Sequence, residues 1–189
     1  MIRSTQQDFL MSAIRRLGCA REDQLVALFG PEFCTERPDL TRQIATSALH
    51  RLRYCCGDLR QTGSVYHLSQ AKIDPRFLES VDVMLELSKD KPLDFRRGEP
   101  PSLLRFSVQE QKVRSFIVAE NGARLSEEML PPHTRIILLF DGQGPVEPLS
   151  VSNKQFFAVR QENGTHRYFA GTAGKGGIDY AEKESSKNP

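Results

Sequence analysis

Apolar residues recur every three or four positions in three early stretches, and that spacing predicts three helices. In the first, Phe9, Leu10, Ala13, Ile14 and Leu17 share one side; Ser4 and Thr5 supply a cap and Gly18 a stop. The second, REDQLVALFG, opens on Glu22 and Asp23, which suit the positive end of a helix, and Gly30 is its expected end. A polar loop, PEFCTERPD, punctuated by Pro31 and Pro38, is expected before a third helix from Leu40 to Tyr54. At about 100° per residue, Ile44, Ala45, Ala48, Leu49, Leu52, Cys55 and Cys56 gather on one face of that helix. The opposite face collects Arg42, Gln43, Thr46, Ser47, His50, Arg51, Arg53 and Tyr54.

Beyond Gly57 the period changes from helical to alternating. Asp58–Gln61 and Val65–Leu68 read as two short strands around a tight turn at Thr62-Gly63-Ser64. A new unit is expected after Ile73. Asp74-Pro75 is an N-cap followed by proline at the first helical position, and the helix Arg76–Ser88 is apolar around much of its girth. Such a helix packs on more than one side or lies at a domain junction. The stretch DKPLDFRRGEPPS reads as a loop in which Arg96-Arg97 is a solvated pair. Strands are expected at Leu103–Val108 and Val113–Val118, joined through Gln109–Lys112, then at Arg135–Phe140, Gln155–Arg160 and His166–Phe169, with a short helix at Ser126–Leu130. The Gly-, Lys-, Glu- and Ser-rich tail from residue 171 is expected to be disordered.

The organisation predicted is therefore α+β: an N-terminal unit over residues 1–73, a small mixed α/β unit over 74–170, and a tail over 171–189. Composition changes this little. At 39% hydrophobic and 26% charged residues the chain is an ordinary globular one, and it holds no apolar run near the roughly 20 residues of a membrane helix. MIRSTQQDFL lacks an apolar signal core, so a cytoplasmic location with reduced thiols is expected. Cys19, Cys34, Cys55 and Cys56 form no CxxC pair, which argues against zinc, and the adjacent Cys55-Cys56 reads as packing. Residues 1–73 carry ten Lys and Arg against seven Asp and Glu, whereas the remainder is slightly acidic. That asymmetry favours a polyanion partner for the first unit.

Three helices, then strand, turn and strand, is the order of a winged helix-turn-helix. The polar face of the third helix suits a major groove roughly 12 Å wide. Phosphate contacts are expected from Arg42, Arg53 and Arg60, and base contacts from Gln43, Thr46, Ser47 and His50, with Gln61 and Ser64 of the turn beside the backbone. The interval from Gly30 to Leu40 is longer than a tight helix-turn-helix uses. The same fold can serve as a protein adaptor without DNA. Asp94 with Glu110-Gln111-Lys112 also invites a metal-dependent nuclease of the PD-(D/E)xK type, but that triplet is expected at a hairpin tip rather than in a strand interior. Gly171–Gly176 lacks the spacing of a phosphate loop, and no catalytic residue or cofactor is assigned.

The run Ala48-Leu49-His50-Arg51-Leu52-Arg53 with Tyr66-His67-Leu68, followed by LLRFSV, VRSFIVAENG, TRIILLFDGQ and FFAVRQENGTHRYF, is similar to a little-characterised family of Firmicutes mobile-element proteins. These join a winged helix to a degenerate nuclease-like α/β domain and resemble, more distantly, the replication-relaxation proteins of plasmids. The resemblance spans Phe9 to about Phe169 and rests on hydrophobic patterns. It implies a DNA-associated role with no established activity or cofactor; the function expected is that of a regulator or a mobile-element replication or maintenance accessory factor. Double-stranded DNA is the expected partner, and the second unit would serve a homodimer or a protein partner.

Overall fold

The computed structural model describes residues 3–33, 37–123, 125, 130, 133–140 and 155–170. Among the described residues four helices and two sheets make a mixed α+β architecture. Helix α1 (Thr5–Leu17) begins in a reciprocal cap: the Gln7 backbone N–H donates to Ser4 Oγ, and the Ser4 N–H donates to the Gln7 side chain at 3.0 Å. Gly18, at φ +80°, ends it and releases strand β1 (Cys19–Arg21). Sequence periodicity misses β1, since three residues cannot display a period.

Helix α2 runs Glu22–Phe33, past both Gly30 and Pro31. The expected stop at Gly30 is overridden by aromatic packing: Phe33 stacks on Phe29 at 4.6 Å and meets Phe9 edge-on at 5.4 Å. Helix α3 spans Pro38–Cys55 with proline in its first turn. Only residues 34–37 separate α2 from α3, so the long gap expected from the sequence is instead a short helix–helix connection. Strands β2 (Leu59–Thr62) and β3 (Val65–Leu68) form the expected hairpin, with Gly63 at φ +58° in its turn. β1 pairs antiparallel with β3, giving a sheet ordered β1-β3-β2.

Helix α4 (Pro75–Ser88), capped by Asp74, leads into six strands: β4 (Asp94–Arg97), β5 (Ser102–Gln109), β6 (Val113–Glu120), β7 (Thr134–Phe140), β8 (Gln155–Arg160) and β9 (His166–Ala170). They lie in sequence order; β6-β7 and β7-β8 are parallel and the other pairs antiparallel. The loop reading of Asp94–Arg97 is corrected: this segment pairs with β5, and Phe95 anchors it in the core opposite Phe106. The expected helix over Ser126–Leu130 and the tail lie outside the described residues.

α4 is buried at Phe77, Leu78, Val81, Val83, Met84 and Leu85, as its girth-wide apolar pattern foretells. One face meets the first unit and the other the six-stranded sheet. A single apolar cluster runs from Leu10, Leu25 and Leu52 through Phe77 and Met84 to Phe106, Val118 and Ile137. The boundary near residue 73 therefore crosses a continuous core.

Candidate nucleic-acid interface

Burying Ala45, Ala48, Leu49 and Leu52 fixes the rotation of α3 and turns its polar positions outward. Arg42, Gln43, Ser47, His50, Arg53, Arg60 and Ser64 are exposed, while Thr46 and Gln61 are half-buried. The exposed strip has two flanks. Toward the hairpin, Arg53 Nη1 donates to Gln61 Oε1 at 3.1 Å, which ties α3 to β2. Thr46 Oγ1 donates to Glu22 Oε1 at 3.3 Å, so that hydroxyl is engaged with α2. Toward α1, Gln43, Ser47 and Arg51, spaced four apart, line an open groove shared with Gln6, Gln7 and Leu40.

The turn is braced from within. Gln61 Nε2 donates to the Gly63 carbonyl at 3.1 Å, and the Glu22 N–H donates to the Ser64 carbonyl at 2.8 Å. Arg60 Nη1 donates to the Gly57 and Leu59 carbonyls at 2.7 and 3.2 Å, securing the corner where α3 passes into β2. A guanidinium has five donors, so Arg60 keeps several for an outside acceptor. The hairpin turn and α3 thus form one preorganised surface.

Tyr54 is missing from the contacts expected from the sequence. It is 71% exposed, meets His50 edge-on at 5.0 Å, and lies under the Arg53 guanidinium at 5.7 Å. The signal was a tyrosine on a face otherwise polar; an aromatic there has no core to fill. The packing role expected for Cys55-Cys56 is corrected in part: Cys56 packs against the core, but Cys55 is exposed because the helix ends there. Cys19 is buried, and that burial pushes its thiol up from the ordinary range.

No family model matches the chain, and neither the curated proteins nor the solved structures gave a significant match.

The nuclease-type constellation does not assemble. Glu110 and Lys112 sit in the β5–β6 connection, where Glu110 pairs with Arg114 at 2.9 Å, and Asp94 pairs with Arg16 at 3.1 Å. The strand interiors beside them carry no carboxylate. Among the described residues no three His, Cys, Asp or Glu side chains converge as metal ligands would. No helix among those residues is long and apolar enough to cross a membrane.

A second polar constellation joins α4 to β9, and nothing in the sequence spacing announces it. His166, fully buried at its side chain, pairs through Nδ1 with Glu86 at 2.9 Å and through Nε2 with Glu79 at 3.4 Å. Tyr168 donates to Glu86 at 2.7 Å, and Arg76 pairs with Glu79 at 2.8 Å. Burial alone would lower His166, but the hydrogen bonds to Glu79 and Glu86 outweigh it and hold the imidazole up at about 9. On the neighbouring side of α4, Asp82 binds Arg21 and accepts from Gln24 Nε2 at 2.7 Å. Three acids at 79, 82 and 86 thus clamp α4 between the first unit and the sheet.

Proposed function

We propose that residues up to about 73 form a winged helix-turn-helix that binds duplex DNA. In this reading α3 enters the major groove and the β2–β3 turn is the wing against the backbone. One observation carries it: the exposed polar face of α3 is fastened to the hairpin turn through Arg53 and Gln61, presenting helix and turn together. The order helix–strand–helix–helix–hairpin, the β1-β3-β2 sheet and the four-residue α2–α3 connection support the same reading. Arg42, Arg53 and Arg60 hold phosphates, and Gln43, Ser47 and His50 face base edges. Tyr54 adds an apolar contact, and Thr46 acts through its bond to Glu22 by fixing the helix against α2.

The chain then acts in the cytoplasm as a regulator or a mobile-element replication or maintenance accessory factor. Its second unit, a nuclease-like α/β layer, holds a partner or a second copy.

Fluorescence anisotropy with labelled random-sequence duplex across a salt series tests the reading. Affinity should fall steeply with salt, and Arg53→Ala should weaken binding on every sequence while reducing the slope of log K against log salt by about 1. Unchanged binding in that variant removes α3 from the interface. A wild-type chain that ignores duplex even at low salt is an adaptor instead.

A further inference from the structure

Arg96 and Arg97 are neighbours on β4, so their side chains leave opposite faces of the sheet. Arg97 turns toward α4 and lies over the Phe77 ring at 4.4 Å. Arg96 turns to the other face, where the residue directly opposite it on β5 is Arg105. Like charges in register across two strands repel each other. Neither arginine has an ion-pair partner among the described residues, and the Arg105 Nε is buried with no acceptor. A buried donor left unpaired forfeits its hydration with no return.

The same face supplies hydroxyls beside this pair. Ser107 follows Arg105 by two residues, and Ser107, Ser115 and Thr134 stand in register across β5, β6 and β7. Thr134 Oγ1 is buried without a hydrogen-bond partner. Asp94, at the β4 end of this row, is engaged by Arg16 at 3.1 Å. Farther along β6–β8 the face turns apolar, with Ala119, Ile136, Leu138 and Phe157 packed together. The polar corner thus adjoins an apolar patch on the same sheet face.

We propose that this corner, built on Arg96 and Arg105 with Ser107 and Ser115, is a phosphate-binding site. Two unpaired guanidiniums supply the charge and forked donors that a phosphate accepts, and the serines supply single donors from the adjoining row. The site lies outside α3 and does not depend on α3 binding DNA. Its phosphate comes either from a nucleic-acid backbone or from a free phosphorylated ligand.

Thermal unfolding of the full chain in inorganic phosphate, against chloride at equal ionic strength, tests the site. Phosphate should raise the midpoint of the wild type. Arg105→Gln should lose most of the stabilisation by phosphate over chloride, leaving only the general effect of an excluded salt, and Arg105→Lys should keep part of the response. Ser115→Ala, a small change at a half-buried position, should weaken the response and guards against a folding defect in the arginine variants. A phosphate response as large in Arg105→Gln and Ser115→Ala as in the wild type overturns the site. The same variants on labelled duplex identify the source. A salt slope lowered by about 1 in Arg105→Gln assigns a backbone phosphate, and unchanged duplex binding with the phosphate response lost assigns a free one.

Discussion

Raising the pH from 6.5 toward 9 should cost the folded protein about 3 kcal/mol, and most of that loss should vanish when His166 is replaced by glutamine. The group responsible is buried between Glu79 and Glu86, with Arg76 and Asp82 on the same helix and Tyr168 beside it on β9. Its pKa is raised from the ordinary 6.5 to about 9, so the native state holds a proton that the unfolded chain releases earlier. The stabilisation is fully present below the unfolded value and disappears as pH rises through the folded one. At about 1.4 kcal/mol per unit this is the figure above. On the acid side, the hydrogen bond from His166 lowers Glu79 against the opposing effect of burial. Burial raises Glu86, and the bonds from His166 and Tyr168 more than reverse it. These carboxylates lose their contribution as pH falls through their depressed values. Urea unfolding at pH 6.5, 7.5 and 9 measures the effect, and a wild-type curve parallel to that of His166→Gln would show that the imidazole is neutral in the fold. At pH 6.5 the variant should also be weaker outright, by about 3 kcal/mol, since buried Glu79 and half-buried Glu86 lose the cation between them.

That cluster marks where sequence reasoning stops. Each acid of α4 looks like a solvated charge when read singly, and His166, eighty residues from Glu86, follows a turn signal. Only the packing of α4 against both layers brings 79, 82 and 86 inward. A clue was present, since a helix apolar around its girth leaves its charges no solvent face. The first unit was more legible. Leu49 and Leu52 fix one face of α3 at helical spacing, so Arg53 and His50 must lie on the other. Glycine and proline misled where aromatic packing outweighed them: local rules end α2 at Gly30, but the Phe9–Phe29–Phe33 contact carries it a turn further. That turn, together with the start of α3 at Pro38 rather than Leu40, makes the long gap a four-residue connection. β4 failed for a different reason, because an edge strand with one buried residue, Phe95, carries almost no alternation.

Phe77→Ala should destabilise the whole chain by about 3–5 kcal/mol. The ring is fully buried in the first turn of α4, covered by the Arg97 guanidinium at 4.4 Å, and belongs to the cluster that joins both units. Removing it opens a cavity between α4 and its neighbours, and Arg97 loses the aromatic face on which it rests. Because the core is continuous across the junction, the two sheets should weaken together. Hydrogen exchange resolves this: amides of β3 and of β5 and β6 should lose protection by similar amounts. Loss confined to the six-stranded sheet would mean that the first unit folds alone and that the junction is only a contact. The outcome bears on the proposed interface as well. β1 leads into α2, and Arg21 at its end binds Asp82 of α4, while Glu22, the next residue, holds both Thr46 of α3 and the Ser64 carbonyl of the turn. A shift of α4 is thus passed, within two residues, to the helix and turn that are proposed to meet DNA. In Phe77→Ala at a temperature where it remains folded, duplex affinity should fall although no contacting side chain has changed.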